Sequence, residues 1–220
     1  MADIKNKRML IINEAYALPL SGASPKRRGI MRVLTGAGMA LKSTIHKAEL
    51  QLADLDRAHF GDYALTIARH PSETDERMMV RLLAFALNAS ATLVFGRGLS
   101  AEDEPDLQDF DATGSIERWI DVGLPDEKAI RRACNRSRQA VVLSYGGRAA
   151  EIWWQQVAGK LASQKNLRVI SLSPADSLAL TGLAQRNMRL QCTIQDGVVW
   201  LGSADQHVEL TPKTLFPSEQ

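Results

Sequence analysis

The chain has 220 residues, 45% hydrophobic and 24% charged, which is enough apolar material for one well-filled core and an ordinary soluble balance of charge. No apolar run approaches the ~20 residues of a membrane-spanning helix, so none is expected. The net charge of +2 is unevenly spread: the first 38 residues hold seven Lys or Arg against Asp3 and Glu14, leaving 20 basic against 23 acidic residues, a net of −3, for the rest. Any nucleic-acid argument from overall basicity therefore rests on the leading piece alone.

In that piece, residues 1–38, Asn13 and Glu14 interrupt the only apolar stretch, which makes a poor secretion signal. Two readings stay open: the native chain starts at Met39, or residues 1–38 are a basic arm that binds nucleic acid. One domain is expected over residues 39–212, with a frayed tail at 213–220. Between residues 43 and 68, Ala48, Leu50 and Leu52 alternate with polar neighbours and Tyr63, Leu65 and Ile67 form a second such run, so an antiparallel pair is expected.

Pro71 then breaks the pattern. Ser72 with Asp75 three residues on reads as a capping box, which predicts a helix beginning at Ser72. At 100° per residue Glu76 falls on the stripe of Met79, Val80, Leu83 and Leu87, while Arg77, Arg81 and Asn88 lie on another face. A carboxylate on a core-facing stripe costs several kcal/mol to bury unless a cation, a metal or several donors meet it. Glu76 is thus a candidate site residue; the plainer alternative is a first-turn acid favouring the helix dipole. Glu73 and Arg77 read as an ordinary helix pair worth about 0.3–0.5 kcal/mol.

Six acids, Glu102, Asp103, Glu104, Asp106, Asp109 and Asp111, crowd the next turn-prone run, and most should face water because like charges repel. Pro105-Asp106 stands out among them. A two-faced strand follows over 116–122, with Asp121 on the face of Trp119. Gly123 to Pro125 end it, and Pro125-Asp126-Glu127 open a helix with Lys128 and Arg132 on one side and Ala129, Ile130, Ala133 and Cys134 on the other. The continuous apolar AVVLSY suits a central strand, so strand, helix, strand implies a right-handed parallel crossover.

GRAAEIWWQQVAGKLA reads as a helix whose Trp153 and Trp154 point about 100° apart. Core packing is the default for both, and an exposed Trp154 beside Arg148 as a base-stacking platform is the alternative. LRVISL is a buried-type strand, and Ser173-Pro174 start a helix expected to reach Gln185. NMRLQCTIQ and VVWLGS flank Asp196-Gly197, a hairpin signal, and QHVELTP adds a last strand. His46, His59, His70 and His207 show no metal-like spacing, although His70 lies beside the acidic helix start. Cys134 and Cys192 are isolated in apolar context, consistent with a reducing cytoplasm and with no zinc motif.

The blocks ALKSTIHKAELQLADLDR, ARHPSETDERMMVRLLAFAL, the DEPD run, ERWIDVGLPDEKAIRRAC, AEIWWQQ and LQCTIQDGVVWL together resemble the YaeQ family of bacterial proteins, from Met39 to about residue 210. That family is similar in fold to the PD-(D/E)XK nucleases. The resemblance implies an α/β fold (an α+β mixed sheet) with a restriction-endonuclease-like core of helix, three strands, helix and strand, extended by N- and C-terminal β-strands. It further implies Asp106 and Asp121 as ligands of a Mg²⁺ ion, with Glu76 assisting. The motif's lysine does not carry over, because Gly123 stands two residues after Asp121, and Lys128 or Arg132 on the following helix are the candidate replacements. Two functions follow as expectations: a Mg²⁺-dependent nuclease acting on phosphodiesters, or a non-catalytic nucleic-acid- or protein-binding module that kept the fold. A monomer in the cytoplasm, with no membrane partner, is expected for either.

Overall fold

Strict alternation buries every second side chain through most of β2 (Thr44–Asp54) and β3 (His59–Arg69), which pair antiparallel over their full length. The structure is a computed structural model and describes residues 9–10, 43–96 and 104–217. A short β1 (Met9–Leu10) lies parallel to β3; otherwise the leading piece, like Glu102 and Asp103, falls outside the described residues. On the other side of β2 come β9 (Asn187–Gln195), β10 (Val198–Gly202) and β11 (His207–Leu210), giving a first sheet in the order β1-β3-β2-β9-β10-β11. Asp196 at φ 53° and Gly197 at φ 74° both take the left-handed conformation that a tight two-residue hairpin demands.

The second sheet runs β12 (Lys213–Phe216), β8 (Leu167–Ser171), β7 (Gln139–Ser144), β6 (Ile116–Val122), β5 (Leu107–Phe110), β4 (Val94–Phe95). Among the described residues this makes a mixed α+β fold of two mixed sheets and four α-helices.

Helix α1 (Asp75–Asn88) is the centre of the molecule. Met78, Met79, Leu82, Leu83 and Phe85 are fully buried, and a helix apolar on every side must be enclosed. It is enclosed by the inner face of the first sheet, through Leu50, Ile67 and Leu190, and by the second sheet, through Leu107, Ile120 and Val141. Each such side chain contributes about 1.5–3 kcal/mol on burial. The far face of the second sheet is covered by α2 (Glu127–Arg136) and α3 (Arg148–Leu161), where Ile130, Trp153 and Val157 meet Val142 and Val169. Helix α4 (Pro174–Leu180) packs against α1 and β11. The order helix, three strands, helix, strand thus appears as α1, β4–β6, α2, β7, with β6 antiparallel to β5 and parallel to β7.

Several sequence expectations need correction. Helix α1 is capped by Thr74, whose hydroxyl accepts from the Arg77 backbone; the Ser72 hydroxyl is taken by the His70 ring at 2.6 Å. Helix α4 stops at Leu180 and continues only as a 3₁₀ turn, Thr181–Leu183, short of Gln185. Lys213–Phe216 pair with β8 as an edge strand. Trp154 is half-buried between Trp153 and Phe216, with ring centroids 5.9 and 6.2 Å away, and offers no free platform for a base. No helix among the described residues is long and apolar enough to cross a membrane.

Candidate functional site

The site is assembled where β4, β5 and β6 meet the first turns of α1. Asp106 enters β5 just after Pro105, and its carbonyl accepts from the Gly96 backbone at 2.8 Å. Glycine is required at 96, because a Cβ there would run into the Pro105 carbonyl. Leu107 pairs with Ile120, and Asp106, one residue before β5, lies beside Asp121, to whose carboxyl its backbone N–H donates. The Val122 N–H donates to Asp106 Oδ2 at 2.8 Å, fixing the carboxylate against the end of β6.

Two guanidiniums reach this carboxylate from α1. Arg77 Nη2 donates to both Asp106 oxygens, at 2.8 and 2.9 Å, and lies 3.5 Å from the Val122 carbonyl; its Nη1 donates to Glu73 Oε1 at 2.9 Å. Arg81 is completely buried. Its Nη1 donates to Glu73 and to the Ala68 carbonyl, its Nη2 to the Gly96 carbonyl, and its plane lies 5.5 Å from the Phe95 ring centre. Its Nε has no hydrogen-bond partner among the described residues and stands 3.5 Å from Asp106 Oδ1. Burial opposes charge on Arg77, and the carboxylates of Asp106 and Glu73 outweigh it, so the guanidinium is held firmly protonated.

Asp121 has a different environment. Trp119 Nε1 donates to both its oxygens at 3.0 Å, as their shared strand face predicts. Burial and then the neighbouring negative charge of Asp106 push its carboxyl up to about 7, against the Trp119 and Asp106 N–H groups and the charge of Arg77. Tyr145, just past β7, completes the surroundings: burial raises its hydroxyl, which also feels Arg77, Glu76, Glu73 and Asp106.

Glu76 is half-buried in the first turn of α1, within electrostatic reach of Tyr145. Asp106 and Asp121 are brought together; Lys128 is exposed on α2 and Arg132 half-buried there. The buried acid at the start of α1 is Glu73, which precedes the helix cap and bridges two arginines. Glu73, Arg77 and Arg81 are not singled out as a site by the sequence: Arg77 and Arg81 stand four apart on α1, but Glu73 lies before the helix cap, where helical spacing gives no signal.

Among the described residues no group of three His, Cys, Asp or Glu is placed to hold a metal ion. The oxygen donors at hand are the carboxylates of Asp106 and Asp121 with the Val122 carbonyl. Such a set fits Mg²⁺, which keeps several waters and uses one or two carboxylates alongside substrate phosphate, and it does not fit an all-protein cage.

Comparison with known proteins finds relatives of the chain as a whole. The family model described as YaeQ protein matches residues 39–212. The chain is 50% identical over 172 residues to the uncharacterised protein YaeQ of Salmonella typhi and 47% identical to that of Escherichia coli K12, in each case covering 78% of this chain and 95% of the relative. The crystal structure of YaeQ protein from Xanthomonas axonopodis pv. citri is similar at a TM-score of 0.77 and 53% identity, covering 79% of this chain and 98% of that one. That of YaeQ protein from Pseudomonas syringae gives 0.75 and 35%, covering 79% and 96%.

Proposed function

For a chain that belongs to the YaeQ family, we propose hydrolysis of nucleic-acid phosphodiesters, dependent on a divalent cation at Asp106 and Asp121. The observation that carries this reading is the placement of Asp106 against the end of β6, where it accepts from the Val122 N–H beside Asp121 and its charge disfavours ionisation of Asp121. A like-charged pair of this kind is relieved by a cation. The element order α1, β4–β6, α2, β7 supports it, being the order of the PD-(D/E)XK core that the sequence resembles.

Bound there, Mg²⁺ would polarise a phosphoryl oxygen and make a coordinated water more acidic. The remaining work belongs to the chain. Asp106 and Asp121 supply carboxylate oxygens and Val122 its carbonyl, while Trp119 orients Asp121 through its N–H. Glu76 takes the assisting role of the helix acid, and Lys128 and Arg132 remain on α2 as cations for the nucleic-acid backbone. A second reading, a non-catalytic binding module, is favoured by Gly123, where the motif calls for lysine.

Calorimetry with Mg²⁺ and Mn²⁺ decides between them, using the full chain, Asp106→Asn and Asp121→Asn, with and without a nucleic acid. Binding lost in both variants supports the cation site and justifies a search for cleavage. Absence of binding at millimolar ion, with nucleic acid present as well as absent, would leave the binding module as the better account.

A further inference from the structure

The oxygen donors that would hold the cation already hold one. Arg77 Nη2 touches both oxygens of Asp106 and lies near the Val122 carbonyl, so a positive charge stands among the same atoms that an ion would use. We infer that Arg77 is an internal cation that competes with the divalent ion for Asp106 and, once displaced, becomes the group that meets the substrate phosphate. This rests on the cation site proposed above and gives it the basic residue that Gly123 cannot supply.

Three observations carry the inference. Arginine cannot give way by losing its proton, so it must yield by moving. The Arg77 side chain keeps 16% of its surface exposed, whereas that of Arg81 keeps none, so of the two Arg77 is the one with an open edge towards solvent. Its departure would not strip Asp106 of positive charge, because Arg81 Nε, without a hydrogen-bond partner among the described residues, stays 3.5 Å behind the carboxylate. Glu73 likewise keeps Arg81. Arg81 therefore serves as the fixed anchor and Arg77 as the exchangeable arm. A guanidinium released beside a bound phosphate can meet two of its oxygens at once, which a lysine cannot do.

The test compares Mn²⁺ and Mg²⁺ binding by calorimetry in the full chain, Arg77→Gln and Arg77→Lys, followed by inorganic phosphate on the ion-loaded proteins. Removing a charged competitor that touches both Asp106 oxygens should tighten Mn²⁺ binding in Arg77→Gln by about tenfold or more. Phosphate binding to that loaded variant should fall by a similar factor. An unchanged or weaker ion affinity in a variant that circular dichroism shows to be folded overturns the inference. If Arg77→Gln does not fold, Arg77→Lys decides: its single ammonium retains charge but cannot span Glu73 and Asp106 as the two guanidinium nitrogens do, so ion binding tighter than in the parent supports displacement, whereas equal binding refutes it. Failure of every form to bind either ion at millimolar concentration removes the cation site itself, and the role of Arg77 with it.

Discussion

Arg81 Nη1 lies 3.2 Å from both oxygens of Glu73, and neither side chain has any exposed surface. Two charges so enclosed stay folded only as a pair, since each alone carries a large desolvation penalty. Glu73→Gln should therefore cost about 3–5 kcal/mol of stability, because it leaves Arg81 and part of Arg77 without their counter-charge. Urea unfolding at neutral pH measures it. A loss below about 1 kcal/mol would mean that Arg81 finds enough compensation in the Ala68 and Gly96 carbonyls.

Asp121 makes stability depend on pH in a predictable direction. Its folded carboxyl titrates near 7 against an ordinary 3.8, so between those values the folded state keeps a proton that the unfolded chain has released. Stability falls as pH rises across that window and levels off above it. In chelator-treated buffer Asp121→Asn should flatten this decline and exceed the parent at pH 8, by at most about 4 kcal/mol. The advantage should vanish near pH 4. Urea midpoints at pH 4.5, 6 and 8 give the comparison, and a difference independent of pH would contradict the assignment.

Those two residues also mark what could be read from sequence. Alternation placed β2, β3 and β6, the Asp-Gly turn placed the β9–β10 hairpin, and the shared face of Trp119 and Asp121 followed from period two alone. The chemistry of α1 was harder to see. Helical periodicity assigns one face to a core, but α1 from Met78 to Ala86 is buried on all sides between two sheets, so its second face is interior too at Arg81 and Asn88 and half-buried at Arg77. The acid that matters, Glu73, sits before the cap, where periodicity does not apply. Asp109 is a similar case: it lies in the acidic run yet is buried, bound by Arg118, Ser90 and Thr92. Only tertiary partners distinguish it from exposed Asp111, which folds back on its own turn.

The two cysteines should be inert while the chain is folded. Burial raises the Cys134 thiol, and burial with the charge of Asp54 pushes Cys192 up to about 12. Both lie in the core, with little thiolate at pH 8 and little access for a reagent. A chromogenic disulfide reagent at pH 8 should find no fast-reacting thiol in the native protein and both after denaturation. Rapid labelling of either in the folded state would show that its surroundings open readily.

Gly123 provides the sharpest test of why the motif lysine is missing. Its backbone lies at φ 110°, and its N–H donates to the Leu143 carbonyl at 3.0 Å, tying the end of β6 to the end of β7. A Cβ there would meet nothing within 4 Å, so space is not the obstacle. The obstacle is the dihedral, which side chains of L-residues rarely adopt. Gly123→Lys should thus lose about 1–3 kcal/mol from backbone strain alone, and Gly123→Ala nearly as much, since strain does not depend on the length of the side chain. Chemical denaturation of the two variants separates this from any gain that a new ammonium makes near Asp106 and Asp121. Should Gly123→Lys prove as stable as the parent while Gly123→Ala is not, the added charge is offsetting the strain and the acidic pair accepts a lysine after all.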